Sequence, residues 1–219
     1  MKQIACIHTV ASVIDAFTAQ LREGIPGDYL IHTMYDDFLA TDPARTGTFS
    51  EVNVRRLGLD MESMALTGAD VIVVTCSTLS PAVRVLRNRF DIPVVAIDDA
   101  MARAAVAAGS RITVIATANS TVKPTTETLK AAAKERGVEV EITTICDEDA
   151  IRALKSGDKA THDKMVLEMS DRVAPDCEVI VLAQASMAHM EKAVAEHKGL
   201  PTFSSPALCV EQLKALMEE

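Results

Sequence analysis

The sequence is short of aromatic residues: its 219 positions hold no tryptophan, two tyrosines and five phenylalanines. Cations are also in deficit, with 22 Lys and Arg against 31 Asp and Glu, for a formal net charge of −9. A phosphate-backbone partner draws its affinity from Lys and Arg, so this composition argues against nucleic acid. Long hydrophobic runs are missing too. The runs Val71–Thr75 and Val179–Ala183 are bounded by polar residues and fall far below the roughly 20 residues needed to span a bilayer. No membrane segment is expected. No Cys-x-x-Cys pair occurs, and the five cysteines (Cys6, Cys76, Cys146, Cys177, Cys209) are odd in number and widely spaced. Neither a disulfide framework nor a metal site is expected from them. The opening residues Met1–Cys6 run straight into a strand pattern with no apolar targeting segment, which predicts a cytoplasmic protein.

What is present is 48% apolar residues, enough for one large core or two of about 100 residues each. Short β-branched runs alternate with longer helical patterns. Strands are predicted at Gln3–His8, Tyr29–Met34, Val71–Thr75, Val94–Ile97, Arg111–Ala116, Glu139–Ile145 and Val179–Ala183. Helices are predicted at Val10–Arg22, Ser50–Thr67, Pro81–Phe90, Asp99–Ala108, Lys123–Arg136, Ala150–Ser156, Thr161–Val173, Ser186–Lys198 and Ala207–Met217. Asp36–Ser50 and Asp147–Thr161 read as substrate-selecting loops without a motif. Strands alternating with helices imply βαβ units and parallel sheets, hence an α/β fold. Ligands of such sheets bind beyond the carboxyl ends of the strands.

An internal repeat runs through the chain. Gln3–Ser12 reads against Arg111–Ser120 at an offset of 108, and Ala69–Ser77 reads against Cys177–Ser186 with its last two residues at 109. Ile92-Pro93-Val94 reads against Leu200-Pro201-Thr202 at about the same spacing. The repeat predicts two pseudo-symmetric lobes, residues 1–98 (with 207–219 packing back) and 99–206, with an active-site cleft between them. On that alignment Cys76 faces Ala185 across the cleft.

Cys76 follows a buried strand and precedes a helix whose start reads as Ser80 at the N-cap and Pro81 at the first helical position. A helix N-terminus favours thiolate over thiol and can hold a carboxylate. Such a thiol suits proton transfer next to a carboxylate, or nucleophilic addition. Ser77 and Thr78 beside it, and Thr117, Asn119, Ser120 and Thr121 in the other lobe, offer hydroxyls and amides to a substrate carboxylate. The same residue types also cap helices and turns routinely. His8, with Thr9 next to it, ends the first strand and can supply or accept a proton near neutrality. His189 is a weaker candidate for that role, one turn beyond Ala185 and Ser186.

The blocks Val73–Thr78, Ala116–Thr121 and Val181–Met187 resemble the cofactor-independent aspartate/glutamate/hydantoin racemase superfamily, over nearly the whole chain. The resemblance implies an isomerase working without metal or organic cofactor on a small carboxylate, with Cys76 as thiol base and a homodimer or higher oligomer as the assembly. It also implies a second cysteine on the opposite face of the carbon. On the alignment above, Ala185 stands there and cannot move a proton. One-sided decarboxylase or cis–trans isomerase chemistry, a substituted Ala185 that traps substrate, and a replacement base at His8 or His189 all follow from that departure. A small-carboxylate binding protein that has lost catalysis is the rival from another class.

Overall fold

The computed structural model describes residues 1–218. The chain divides into two compact units, Met1–Asp99 together with the segment from Pro206 onward, and Ala100–Ser205.

In the first unit β1 (Lys2–His8), α1 (Ala11–Gly24), β2 (Tyr29–Tyr35), α2 (Phe38–Thr46), α3 (Glu51–Ala65), β3 (Val71–Val74), α4 (Ser80–Leu86) and β4 (Val94–Ala96) build a parallel sheet of order β2-β1-β3-β4. After α5 (Asp99–Ala108), the second unit repeats the plan with β5 (Arg111–Ala116), α6 (Asn119–Arg136), β6 (Glu141–Cys146), α7 (Glu148–Lys155), α8 (Lys159–Asp171), β7 (Val179–Leu182), α9 (Glu191–Lys198) and β8 (Thr202–Phe203), in the order β6-β5-β7-β8. The closing helix α10 (Ser205–Glu218) supplies the C-terminal part of the first unit.

The interior strands β3 and β7 are Val-Ile-Val-Val and Val-Ile-Val-Leu, buried at every position. Unbroken apolar runs are what a parallel strand covered on both faces requires. In edge strand β2 only Tyr29 is buried, and the remaining positions are partly or fully exposed. Each unit packs its own core: Ile7, Leu57, Met61, Met64, Ile72 and Leu86 in the first, and Ile115, Val166, Met169, Ile180, Met187 and Met190 in the second. The methionines thus fill core space, as expected of a flexible apolar side chain.

The repeat is one of register. Ile4 pairs with Val71 and Ile72 with Val94, while Ile112 pairs with Val179 and Ile180 with Thr202, each pairing recurring 108 residues on. Of the two edges only β2 and β6 slip, by three residues, because Ile4 pairs with Ile31 but Ile112 with Ile142. The crossover helix leading to the edge is 18 residues in α6 against 14 in α1.

Both expected loops hold helices, α7 filling most of Asp147–Thr161 and α8 opening at Lys159. Asp36–Ser50 is not a plain loop: α2 occupies most of it, and Ser50 closes it as N-cap of α3, in a reciprocal capping box with Asn53. β8, only two residues long, escapes periodicity altogether. Among the described residues no helix is long and apolar enough to cross a membrane.

The C-terminal helix is held by close approach. A Cβ placed on Gly24, the last residue of α1, would overlap Val210 Cγ1 on α10, and the branched valine has little freedom to yield. Gly24→Ala should therefore destabilise the protein, by about 1–3 kcal/mol as overpacking substitutions do. Urea denaturation should find the Gly24→Ala/Val210→Ala double variant less destabilised than the sum of the single ones.

Candidate active site

The carboxyl ends of the first sheet stay in register past the last strand residues. Asp36 N–H donates to His8 O at 2.9 Å, Thr75 N–H to Ile7 O at 3.0 Å, and Ile97 N–H to Val74 O at 3.0 Å. These bonds bring His8, Thr75-Cys76, Asp36 and Ile97-Asp98 to one edge of one sheet, where an α/β sheet holds its ligand.

His8 is fully buried, with its ring edge-on to Phe17 at 6.3 Å. Its Nδ1 lies 2.8 Å from Thr75 Oγ1, while Nε2 is buried without a partner. Burial pushes the imidazole down to about 4, so it is neutral at physiological pH. Thr9, next along, is also buried with its hydroxyl unpartnered.

Cys76 is a half-buried free thiol. A 3-10 turn, Ser77–Leu79, separates it from α4 and is closed by Leu79 N–H donating to Cys76 O at 3.0 Å. Ser77 is buried and Thr78 half-buried. Ser80 is not the N-cap that its sequence position suggests: its hydroxyl donates to Asp98 Oδ1. That bond ties the start of α4 to the loop after β4.

In the second unit the equivalent turn, Ala185–Met190, is preceded by Gln184. Ala183 N–H donates to Ile115 O as Thr75 does to Ile7 O, and Met187 N–H donates to Gln184 O as Leu79 does to Cys76 O. Cys76 (φ −123°) and Gln184 (φ −129°) share the same extended backbone. The offset of 108 therefore persists through the turn, and the partner of Cys76 is Gln184 rather than Ala185. Ala185 instead matches Ser77, and the exposed Ser186 matches Thr78. Gln184 holds Thr117 at two points: its Oε1 accepts from Thr117 N–H at 2.9 Å, and its Nε2 donates to Thr117 Oγ1 at 2.9 Å. Thr117 is the register equivalent of Thr9, whose hydroxyl has no such clamp.

A family model for Asp/Glu/Hydantoin racemase matches residues 6–213. The chain belongs to that family. Its fold is similar to that of an Asp/Glu racemase from Yersinia pestis, described there as putative (15% identity, all of both chains covered, TM-score 0.76), and of allantoin racemase from Klebsiella pneumoniae (16% identity, 100% of this chain and 88% of that one, TM-score 0.71). It is also similar to unliganded arylmalonate decarboxylase, at 16% identity over 99% of this chain and 93% of that one, with a TM-score of 0.62. No curated protein matches it significantly.

The remaining expected residues of this family member fall as follows. α6 begins at Asn119, four residues earlier than expected, which puts Asn119, Ser120 and Thr121 in its first turn. Asn119 N–H is engaged by Glu148 Oε1 at 3.2 Å, and the Thr121 hydroxyl turns back to Ala118 O. Ser120 is exposed. His189 is bound to Asp163 at 2.6 Å. Arg56 pairs with Asp36 and lies 5.1 Å over the Phe38 ring. Arg55 lines a groove of about 260 Å³ with Glu51, Val54, Gly58, Leu86 and Arg89, which takes in none of the predicted site residues. Burial pushes the Cys6 thiol up to about 12 and raises that of Cys146, so neither is a reactive thiolate.

Asp98 is the residue that sequence reasoning missed. It is fully buried with Oδ2 unpartnered. Burial pushes its carboxyl up to about 7; the Ser80 hydrogen bond opposes the shift and the neighbouring Asp99 adds to it. A raised folded value means that the fold keeps a proton which the unfolded chain loses from its ordinary value of 3.8. Stability contributed here falls as pH rises from about 4 through about 7. Asp98→Asn, which keeps an acceptor for Ser80, should gain stability relative to the parent across that window, as urea denaturation at pH 4, 5.5 and 7 will measure.

Proposed function

We propose that this racemase-family member is a cofactor-independent enzyme that moves a proton at the carbon next to the carboxylate of a small amino acid or related acid, with Cys76 as the thiol that carries it. The reading rests on one observation: the register partner of Cys76 is Gln184, an amide already committed to Thr117. An amide has no proton to exchange near neutrality, so inversion by two opposed thiols is closed to this chain. Chemistry on a single face remains open.

His8 is the second proton-handling group. Its neutral ring presents Nε2 as donor or acceptor according to which way the Thr75 hydroxyl points. The unpartnered Thr9 hydroxyl, together with Ser77 and Thr78, supplies donors for the substrate carboxylate and for the enediolate charge that develops as the proton leaves. In the second unit Thr117 keeps its hydroxyl hydrogen free, because Gln184 uses only the oxygen. Asn119, Ser120, Thr121, Ala185 and Ser186 complete the proposed set through backbone N–H groups and hydroxyls.

The same observation favours a second reading. Loss of CO₂ from a substituted malonate leaves the C–C bonding electrons as an enediolate, which needs one proton on one face. A single thiol suffices for that.

NMR in D₂O over a panel of chiral amino acids, hydroxy acids, hydantoins and substituted malonates tests both. We expect either α-deuterium uptake that outpaces inversion or CO₂ release to a product of one handedness. Either activity should fall by about 10²–10⁴-fold in Cys76→Ala. Installing a thiol by Gln184→Cys should raise inversion relative to exchange. Inversion as fast as exchange in the parent protein would overturn the single-face reading, and turnover surviving in Cys76→Ala would remove the thiol from the mechanism. Ligand-induced thermal stabilisation without turnover, unchanged by Cys76→Ala, would make the chain a binding protein.

A further inference from the structure

Away from the strand ends, the second unit brings together His162 and Asp163 of α8 and His189 of the turn that follows β7. One ligand atom from each lies within 4.8 Å of the other two. Both rings converge on a single carboxylate oxygen: His162 Nδ1 is 2.8 Å and His189 Nε2 is 2.6 Å from Asp163 Oδ1. The rings themselves stand 5.9 Å apart, tilted by 31°. His162 is fully buried, Asp163 half-buried and His189 exposed, so the cluster is anchored on one side and open to solvent on the other.

We propose that these three residues form a binding site for a divalent transition-metal ion of the Zn2+, Co2+ or Ni2+ class. Two imidazoles and one carboxylate are the donor set these borderline ions accept, whereas Mg2+ and Ca2+ call for oxygen throughout. Three protein ligands leave a fourth position for water on the exposed side. Ligand atoms around tetrahedral Zn2+ at about 2.0–2.1 Å stand roughly 3.3 Å apart, so the cluster must open slightly to admit the ion. The exposed His189 ring can make that adjustment. Lys159, also largely exposed, holds the other oxygen of Asp163 and keeps the carboxylate oriented from outside the ligand set.

The site has a structural consequence within its own unit. His189 lies in the turn Ala185–Met190, directly after Gln184, whereas its partners sit on α8. An ion bound there fastens the turn that carries Ser186 to a helix outside the sheet's ladder.

The test uses the full chain, stripped with chelator and titrated with Zn2+ by calorimetry and with Co2+ by visible absorption. One saturable ion per chain is expected, with a tetrahedral Co2+ band and a rise in Tm of about 5 °C or more at a hundredfold excess over Kd. Removal of an outer partner of a metal site costs about 10–100-fold in affinity, so loss of the ligand itself in His189→Ala should cost at least tenfold. Asp163→Asn should weaken binding in the same direction, which keeps the test independent of any one variant's folding. His197→Ala, which removes the separate His197–Asp171 pair, should leave affinity unchanged. The proposal is overturned if the parent protein shows no saturable binding, if His189→Ala and Asp163→Asn bind as tightly as the parent, or if Cys76→Ala alone abolishes uptake.

Discussion

The hydrogen-bond ladder at the carboxyl ends of the two sheets is the constraint on which everything else depends. A parallel ladder admits no extra residue without losing a bond, and a buried unpaired amide is costly. Once Ile7 O has accepted Thr75 N–H and Ile115 O has accepted Ala183 N–H, the residues that open the two turns are determined. Cys76 and Gln184 occupy equivalent positions for that reason, whatever their neighbours spell. The chemistry of each turn is then a matter of one side chain on a shared backbone.

This explains why the sequence reading came so close and yet misplaced the partner of Cys76. Matching Cys-Ser to Ala-Ser by identity required one extra residue in the second copy, and letters alone carry no penalty for breaking a ladder. Where a segment's own pattern was sufficient the reading held: Arg111–Ala116 is a strand and Asp99–Ala108 a helix over the expected residues. The parallel sheets and α/β class followed from the alternation itself. It failed where tertiary contacts override local signals. The helix expected at Lys123–Arg136 opens four residues earlier, at Asn119, and runs through Pro124. Ser80 has the residue type and position of an N-cap, but the 3-10 turn before it makes Leu79 the N-cap and puts Ser80 inside the helix, where its hydroxyl donates to Asp98. The His162, Asp163 and His189 cluster had no legible spacing, because its members come from segments joined only by packing of the second unit.

The amide at Gln184 and the thiol at Cys76 divide two tasks that one residue type cannot perform together. Gln184 holds its carbonyl oxygen and its amide NH2 in one plane and uses one bond from each on Thr117, which orders that strand end with a group that does not titrate. A cysteine cannot span the same two points, so Thr9 is left with a buried, unpartnered hydroxyl. An orphaned hydroxyl in a folded interior carries a desolvation cost that persists only where something else repays it. A ligand carboxylate accepting from Thr9 would do so, at the same edge of the sheet as the thiol. The loss of symmetry between the units is therefore specific: the Thr117 hydroxyl is held by Gln184, and the Thr9 hydroxyl has no partner.

The buried histidine fits the same logic. Thr75 Oγ1 lies 3.2 Å from Ile7 O and 2.8 Å from His8 Nδ1, but has only one hydrogen to give. If the hydroxyl donates to Ile7 O, it must accept from Nδ1–H, which leaves Nε2 as a bare lone pair. If it donates to Nδ1 instead, Nε2 carries the proton. The tautomer of the neutral ring is thus tied to the orientation of one hydroxyl, while burial, which pushes the imidazole down to about 4, disfavours the charged form. A neutral ring is what the edge of a buried sheet favours, because an imidazolium there would have to be desolvated.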